Sequence, residues 1–267
     1  MWKIGCSSRI LWEHKILDVL KFVNKVGYDF IEIWAEHIDE SLKSNEKIKE
    51  IKNLADNLGL YIVIHAPFMD LNISSFNKII RHESIRQVLD SCKLAHLLNS
   101  KKLVVHPGRM TISKTPLKEL FDINCETLNF LIEEANMYDI KICLENMENR
   151  DKEYFILPKT LLKIIKKMNS RNLKICLDIA HANTSGQIKD FITELGNNIF
   201  HIHISDNVGH SPVHLPIGEG NIQFQEIFHA LKSLNNREVT IEGYIPGRGR
   251  EISKINLIRL NEILSSI

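Results

Sequence analysis

The sequence predicts an α/β protein built as a single (β/α)8 barrel, and three observations carry that expectation. Short β-prone runs alternate with helical stretches eight times along 267 residues, close to the ~250 usual for such a barrel. No internal linker breaks the alternation, so residues 1–267 are expected to form one domain. Several runs also end abruptly in an acid or histidine: Ile140-Lys-Ile-Cys-Leu-Glu145, Leu173-Lys-Ile-Cys-Leu-Asp178 with His181, Ile199-Phe-His-Ile-His203, and Glu238-Val-Thr-Ile-Glu242. In a closed parallel barrel these ends share one face, the face that carries chemistry. The rival, an open doubly wound sheet, normally has a Gly-rich phosphate turn after its first strand, and Gly5-Cys-Ser-Ser-Arg9 lacks that spacing.

In order, Lys3 to Cys6 reads as strand one, and Glu13 to Val26 as a helix with Ile16, Leu17, Leu20, Val23 and Val26 near helical spacing, stopped by Gly27. Asp29 to Trp34 is strand two; the charged stretch Asp39 to Leu58 is a helix closed by Gly59, and Leu60 to His65 is strand three. A helix running to about Leu98 precedes strand four, Lys102 to His106. Pro116 to Tyr138 is helical, Ile140 to Glu145 strand five, Pro158 to Met168 helical and Leu173 to Asp178 strand six. The sixth helix is placed between Gln187 and Leu195, before strand seven at Ile199 to Ile204. A loop rich in Gly, Pro and His runs to Asn221; Phe224 to Leu234 is helical, Glu238 to Glu242 is strand eight, and Ile252 to Ile267 closes the chain.

A content of 44% hydrophobic and 25% charged residues suits a soluble globular chain with one large core. A formal net charge of +1 supplies no global field to draw in nucleic acid. No apolar run reaches the roughly 18 to 20 residues that cross a bilayer, and the first residues do not resemble a signal peptide, so a cytoplasmic protein is expected. Cys6, Cys92, Cys125, Cys143 and Cys176 form no CxxC pair and read as buried reduced thiols.

Glu32, His65, His106, Glu145, Asp178 with His181, His203 with His214 in its loop, and Glu242 follow strands two to eight. Each alone has an ordinary reading as a solvated or hydrogen-bonded strand end. Adjacent strands lie about 4.8 Å apart, so acids at the ends of neighbouring strands repel one another unless a cation lies among them. Oxygen and imidazole donors suit Mn2+, Mg2+, Co2+ or Zn2+.

The motifs His65-Ala-Pro-Phe68 with Leu71-Asn72, Val105-His106-Pro-Gly108, Leu144-Glu145-Asn146, Cys176-Leu-Asp178-Ile-Ala-His181, His203-Ile-Ser-Asp206, His214-Leu-Pro-Ile-Gly-Glu-Gly-Asn221 and Ile241-Glu242 resemble, through almost the whole chain, the superfamily of endonuclease IV and the xylose isomerase-like sugar isomerases and epimerases (TIM barrels). The resemblance implies one to three metal ions. Glu145, Asp178, His203 and Glu242 would hold the ion common to both branches; His65 and His106 would join Glu145 at a second, and His181 and His214 would hold a third. The third site normally includes an Asp two residues before the position of His214, where this chain has Pro212.

Two activities use such a cup. In the favoured one, a sugar or sugar phosphate is isomerised or epimerised through an enediolate, with Glu145 and Glu242 exchanging a proton with carbon. The near-zero net charge, the lack of a long basic insertion and Pro212 favour it. The alternative is metal-dependent cleavage of DNA at an abasic site, towards which His65, His106 and the Gly-Glu-Gly-Asn turn point; a metal-binding barrel without catalysis is a third. Glu32, Phe68 and His181 are expected to contact substrate, with pairing to a Lys as the alternative for Glu32, and Trp34 to add an apolar wall. His201 is expected to face away from the cup unless a bulge or a supporting role intervenes. Arg109, Arg248 and Arg250 lie in loops of the active face as solvated charges or phosphate contacts, and Gly218-Glu219-Gly220 shapes a tight turn beneath the cup.

Overall fold

Eight parallel strands close on themselves in chain order: β1 Lys3–Ser7, β2 Phe30–Trp34, β3 Tyr61–His65, β4 Lys102–Val105, β5 Lys141–Glu145, β6 Leu173–Asp178, β7 Ile199–Ile204 and β8 Glu238–Ile241, with β8 pairing back onto β1. This computed structural model describes residues 1–38, 44–211 and 213–267. Around the barrel lie α1 Ile16–Val26, α2 Asn45–Leu58, α3 Lys78–Leu97, α4 Leu117–Met137, α5 Pro158–Met168, α6 Ile179–Thr184, α7 Ile188–Leu195, α8 Phe224–Leu231 and α9 Gly249–Ser265. The expected (β/α)8 barrel is what forms.

Local chemistry sets the boundaries. Gly27 and Gly59 end α1 and α2 at φ of 99° and 70°, the left-handed region glycine enters without a Cβ penalty. Ser44 opens α2 by accepting from the Lys47 N–H at 3.3 Å; the expected start at Asp39 lies outside the described residues. The other limits differ by at most three residues, α1 starting at Ile16 instead of Glu13, α8 ending at Leu231 instead of Leu234 and α9 starting at Gly249 instead of Ile252, and α6 is an element the sequence reading does not include.

The apolar core lies mainly between strands and helices, while a smaller cluster of Phe30, Val63, Val104, Cys143 and Cys176 fills the barrel interior. Phe30 fits there because Gly5 faces it: a Cβ on Gly5 would lie 2.2 Å from the ring. At the floor, buried Lys102 bonds to the Glu238 carboxylate and, at 2.9 Å, to the Phe200 carbonyl. All five cysteines are free and buried, and burial pushes the Cys143 thiol up to about 12. The ladders differ in length: β2 and β3 share five paired positions, whereas β3–β4 and β7–β8 share two each. No helix among the described residues is long and apolar enough to cross a membrane.

Candidate active site

Strands β5 to β8 deliver Glu145, Asp178, His203 and Glu242 to one point, with ligand atoms from all four within 4.8 Å of one another. Glu145 and Asp178 are the last residues of their strands and Glu242 follows the end of β8. Asp178 is also the N-cap of α6, where its Oδ1 accepts from the His181 N–H at 2.7 Å. Asn146, which motif reading left without a role, fixes this corner: its amide donates to the Asp178 carbonyl at 3.0 Å and accepts from the Asp178 N–H at 2.7 Å.

His203 is held from beneath. Its Nε2–H donates to Glu32 Oε2 at 3.0 Å, which turns Nδ1 toward Glu145 Oε1 at 3.2 Å and Glu242 Oε2 at 3.4 Å. The same Glu32 oxygen receives His201 Nε2–H at 2.7 Å and the Thr240 hydroxyl at 3.0 Å. Two expectations meet this geometry. Glu32, expected to contact substrate or pair with a lysine, is fully buried outside the cavity wall and bonds to His201 and His203 instead of a lysine. His201 faces inward, because residues two apart on a strand share a face; the β6–β7 register skips Phe200, pairing Ile175 with Ile199 and Cys176 with His201.

His65 and His106 approach Glu145 from β3 and the end of β4, with Nε2 atoms 3.4 and 3.1 Å from Glu145 Oε2. His65 Nδ1–H donates to the Ala66 carbonyl at 2.8 Å, which in the neutral ring leaves Nε2 as the acceptor. His181 and His214 gather with Asp178 into a third group within the same 4.8 Å limit. His181 Nδ1–H donates to the Asn146 carbonyl at 2.9 Å, and His214 Nδ1 meets the Ser205 hydroxyl at 2.8 Å. Pro212 lies outside the described residues.

The donor set fits a cation. Asp178 Oδ2 and Glu242 Oε1 are buried without a hydrogen-bond partner, and Glu145 Oε2 meets only the His65 and His106 Nε2 atoms without hydrogen-bond geometry, a costly state for three neighbouring carboxylates. Burial, with Glu145 and Glu242 nearby, raises Asp178 to about 7. Burial also opposes charge on His181, yet Asp178, Glu145 and Glu148 outweigh it and lift the ring to about 9. Burial likewise opposes ionisation of Glu145, but His203 and His106 hold it well below the usual carboxylate range. Burial, then His181 and Arg9, lowers His214, so it stays a neutral donor. Cys176 lies close to Glu145 and His203, but burial holds its thiol protonated.

His65, His106, Glu145, His181, His214 and Glu242 line a cavity of about 210 Å3 whose wall also includes Arg9, Trp34, Phe68, Arg109, Glu148, Arg150 and Glu153, while Asp178 and His203 lie buried behind that wall. Phe68 stacks on His106 with centroids 4.1 Å apart, and Trp34 meets Phe68 edge-on at 5.0 Å. Glu148 sits 3.6 Å from His181 Nε2 and 2.9 Å from Arg150; burial and Glu148 raise Glu153 to about 7. The sequence reading missed Arg9, Glu148, Arg150 and Glu153 because they lie in loops without periodicity; the short spacing from Glu145 was the available signal for the last three. Arg109 lines the cavity, whereas Arg248 pairs with Glu251 and Arg250 lies over Phe22, both outside its wall. The Gly218–Gly220 turn is tied to Asp206, whose Oδ2 accepts from the Gly218 N–H at 2.9 Å.

A model described as a xylose isomerase-like TIM barrel matches residues 20–257. The chain belongs to the xylose isomerase-like TIM barrel family. Within that family the chain is 36% identical over 266 residues to the uncharacterized protein MJ1311 of Methanocaldococcus jannaschii, covering 98% of this chain and 88% of the relative. A solved structure described as a D-tagatose 3-epimerase-like protein superposes with a TM-score of 0.87 at 35% identity, covering 99% of this chain and 98% of that one. A probable endonuclease 4 of Ureaplasma parvum is 30% identical over 217 residues, covering 71% of this chain and 68% of the relative.

Proposed function

We propose that this xylose isomerase-like barrel is a divalent-metal-dependent epimerase or isomerase of a ketose or related hydroxy-carbonyl compound. The observation that carries the reading is the pair Glu145 and Glu242: they come from strands three apart around the barrel, each has a buried oxygen without a hydrogen bond, and both line one cavity. A carbon lying between them has a carboxylate on either side. One carboxylate removes its proton and the other returns a proton to the opposite face, inverting the centre, while return to the neighbouring carbon isomerises the sugar. Glu145, Asp178, His203 and Glu242 would hold the cation, which when bound supplies Lewis-acid stabilisation of the negative charge on the substrate oxygens. Glu32 keeps His203 Nδ1 directed at that point, Phe68 and Trp34 wall off water, and His181 faces the substrate oxygens. The cavity is small beside the roughly 300–1,000 Å3 of sites for drug-sized ligands, which suits a substrate of a few carbons. The likeness to a D-tagatose 3-epimerase-like structure over the whole chain supports the same reading.

A specific observation favours a second reading, metal-dependent phosphodiester cleavage at an abasic site. The His65–His106–Glu145 and Asp178–His181–His214 groups offer two further ion sites, and a probable endonuclease 4 is among the relatives. Incubating the metal-loaded protein with ketoses in deuterated water, and separately with an abasic-site duplex, separates the two. Deuterium in the recovered sugar with an intact duplex is expected; metal-dependent incision without exchange overturns the first reading.

A further inference from the structure

Arg9 is the least compensated cation on the cavity wall. It sits in the 3₁₀ turn Ser8–Leu11 that leaves β1, and that turn is fixed twice: Ser8 Oγ accepts from the Trp34 N–H at 3.0 Å, and α9 packs so closely that a Cβ on Gly249 would lie 1.9 Å from the Ile10 carbonyl oxygen. The guanidinium lies 5.1 Å from the Trp34 ring centroid and 4.7 Å from that of Tyr244, and it donates to the Tyr244 hydroxyl at 3.3 Å. Rings hold a cation in place without neutralising it. Among the described residues no carboxylate lies within 4.0 Å of Arg9.

The other wall cations differ. Arg150 pairs with Glu148 at 2.9 Å and approaches Glu153 at 3.9 Å, and Arg109 acts electrostatically on the same Glu153. Both follow β4 or β5, across the barrel mouth from β1. Arg9 also borders a second cavity of about 450 Å3, walled by Trp12, Trp34, Phe68 and Tyr244, which shares Arg9, Trp34 and Phe68 with the first. The acid on that wall, Glu13, is engaged by the Gly247 N–H at 2.9 Å. A planar guanidinium held between two rings, half-buried and with no carboxylate partner among the described residues is suited to a bidentate oxyanion.

We propose that Arg9 binds an anionic group, a phosphate ester or a carboxylate, on the end of the substrate that leaves the metal cup toward the aromatic groove, and so selects charged over neutral ketoses. This rests on the ketose chemistry proposed above, and the test separates the two. In the first arm, kcat/KM for deuterium exchange is measured with D-fructose, D-fructose 6-phosphate and D-fructuronate, for wild type, Arg9→Gln and Arg9→Lys. A charge-assisted hydrogen bond lost from a desolvated site corresponds to about tenfold or more. The ratio of the best anionic to the neutral substrate is expected to exceed about tenfold in wild type, to fall toward one in Arg9→Gln and to stay intermediate in Arg9→Lys. Preference for the phosphate or for the uronate identifies the anion. A wild-type ratio near one, or a ratio unchanged in Arg9→Gln, overturns the proposal.

The second arm does not need turnover. Inorganic phosphate is titrated into the metal-loaded protein and followed by 31P line broadening, with metal content determined for each variant. Binding that weakens about tenfold in Arg9→Gln at equal metal content supports the anion site even where no sugar exchanges, in which case the ketose reading alone has failed. Absence of binding to wild type, or equal binding in both proteins, overturns the site.

Discussion

At the residue scale, the proposed chemistry rests on carboxylate oxygens that the fold buries, Asp178 Oδ2 and Glu242 Oε1 among them without hydrogen-bond partners. Glu145→Gln and Asp178→Asn remove negative charge from the group of four while keeping its volume. Both variants are expected to lose most of their metal by elemental analysis, and Glu145→Gln to lose exchange activity by roughly 10²-fold or more; full metal retention in both contradicts the ligand set. Glu32→Gln tests the support beneath His203: metal affinity, read by chelator competition, is expected to fall about 10–100-fold although Glu32 does not line the active-face cavity. The pH dependence has a definite sign. Asp178 is raised from 3.8 to about 7 and His181 from 6.5 to about 9, so the metal-free fold binds these protons more tightly than the unfolded chain does. Their contribution to stability is complete below 3.8 and 6.5 respectively and is lost as pH rises through about 7 and about 9. The melting temperature of chelated protein is therefore expected to fall between mildly acidic and alkaline pH. The increment from added metal should grow over the same range, because the cation replaces those protons; an increment that shrinks as pH rises is the opposite result.

At the scale of elements, what could be read from the sequence depended on periodicity. The strands were legible because each is a short β-rich run bounded by a helix with its own spacing, and the ligand-bearing ends followed from where those runs stop. α6 was not legible: six residues, Ile179–Thr184, are too few to show a period, and the helix exists because Asp178 caps it directly from the strand. His201 shares a side with His203 and takes the supporting role held open as the alternative, bonding Glu32 at 2.7 Å beside a register break in β7. Arg9, Glu148, Arg150 and Glu153 carry no pattern of their own, since loops acquire their side-chain directions from tertiary contacts. Asn146 bridges β5 and β6 at their ends, so Asn146→Ala leaves the buried Asp178 N–H without its side-chain acceptor and removes one donor to the Asp178 carbonyl, which α6 still engages. A loss of about 1–3 kcal/mol in chemical denaturation is expected, with weaker metal binding because Asp178 is no longer held.

For the whole molecule, the two ends of the barrel divide the work. The candidate metal-ligating groups collect at the strand C-termini, and the opposite end is closed by Lys102, Glu238 and the Phe200 carbonyl. Lys102→Met breaks a pair whose side chains are 10% and 23% exposed. A cost of about 3 kcal/mol is expected, the low end for buried pairs because Glu238 keeps some water, with metal content in the folded protein unchanged. Loss of metal in Lys102→Met would show that the two ends are coupled.

The unequal strand ladders have one more consequence. The wall is thinnest at the seams β3–β4 and β7–β8, with two paired positions each, and the cup straddles both: His65 and His106 across one, His203 and Glu242 across the other. An ion held by the Glu145, Asp178, His203 and Glu242 group would act as a clasp over the β7–β8 joint, which the backbone closes with two pairs. On chelation the amide of Glu242, bonded to the Ile204 carbonyl at 2.9 Å, is expected to exchange with solvent deuterium well before the amides along the five-pair β2–β3 ladder.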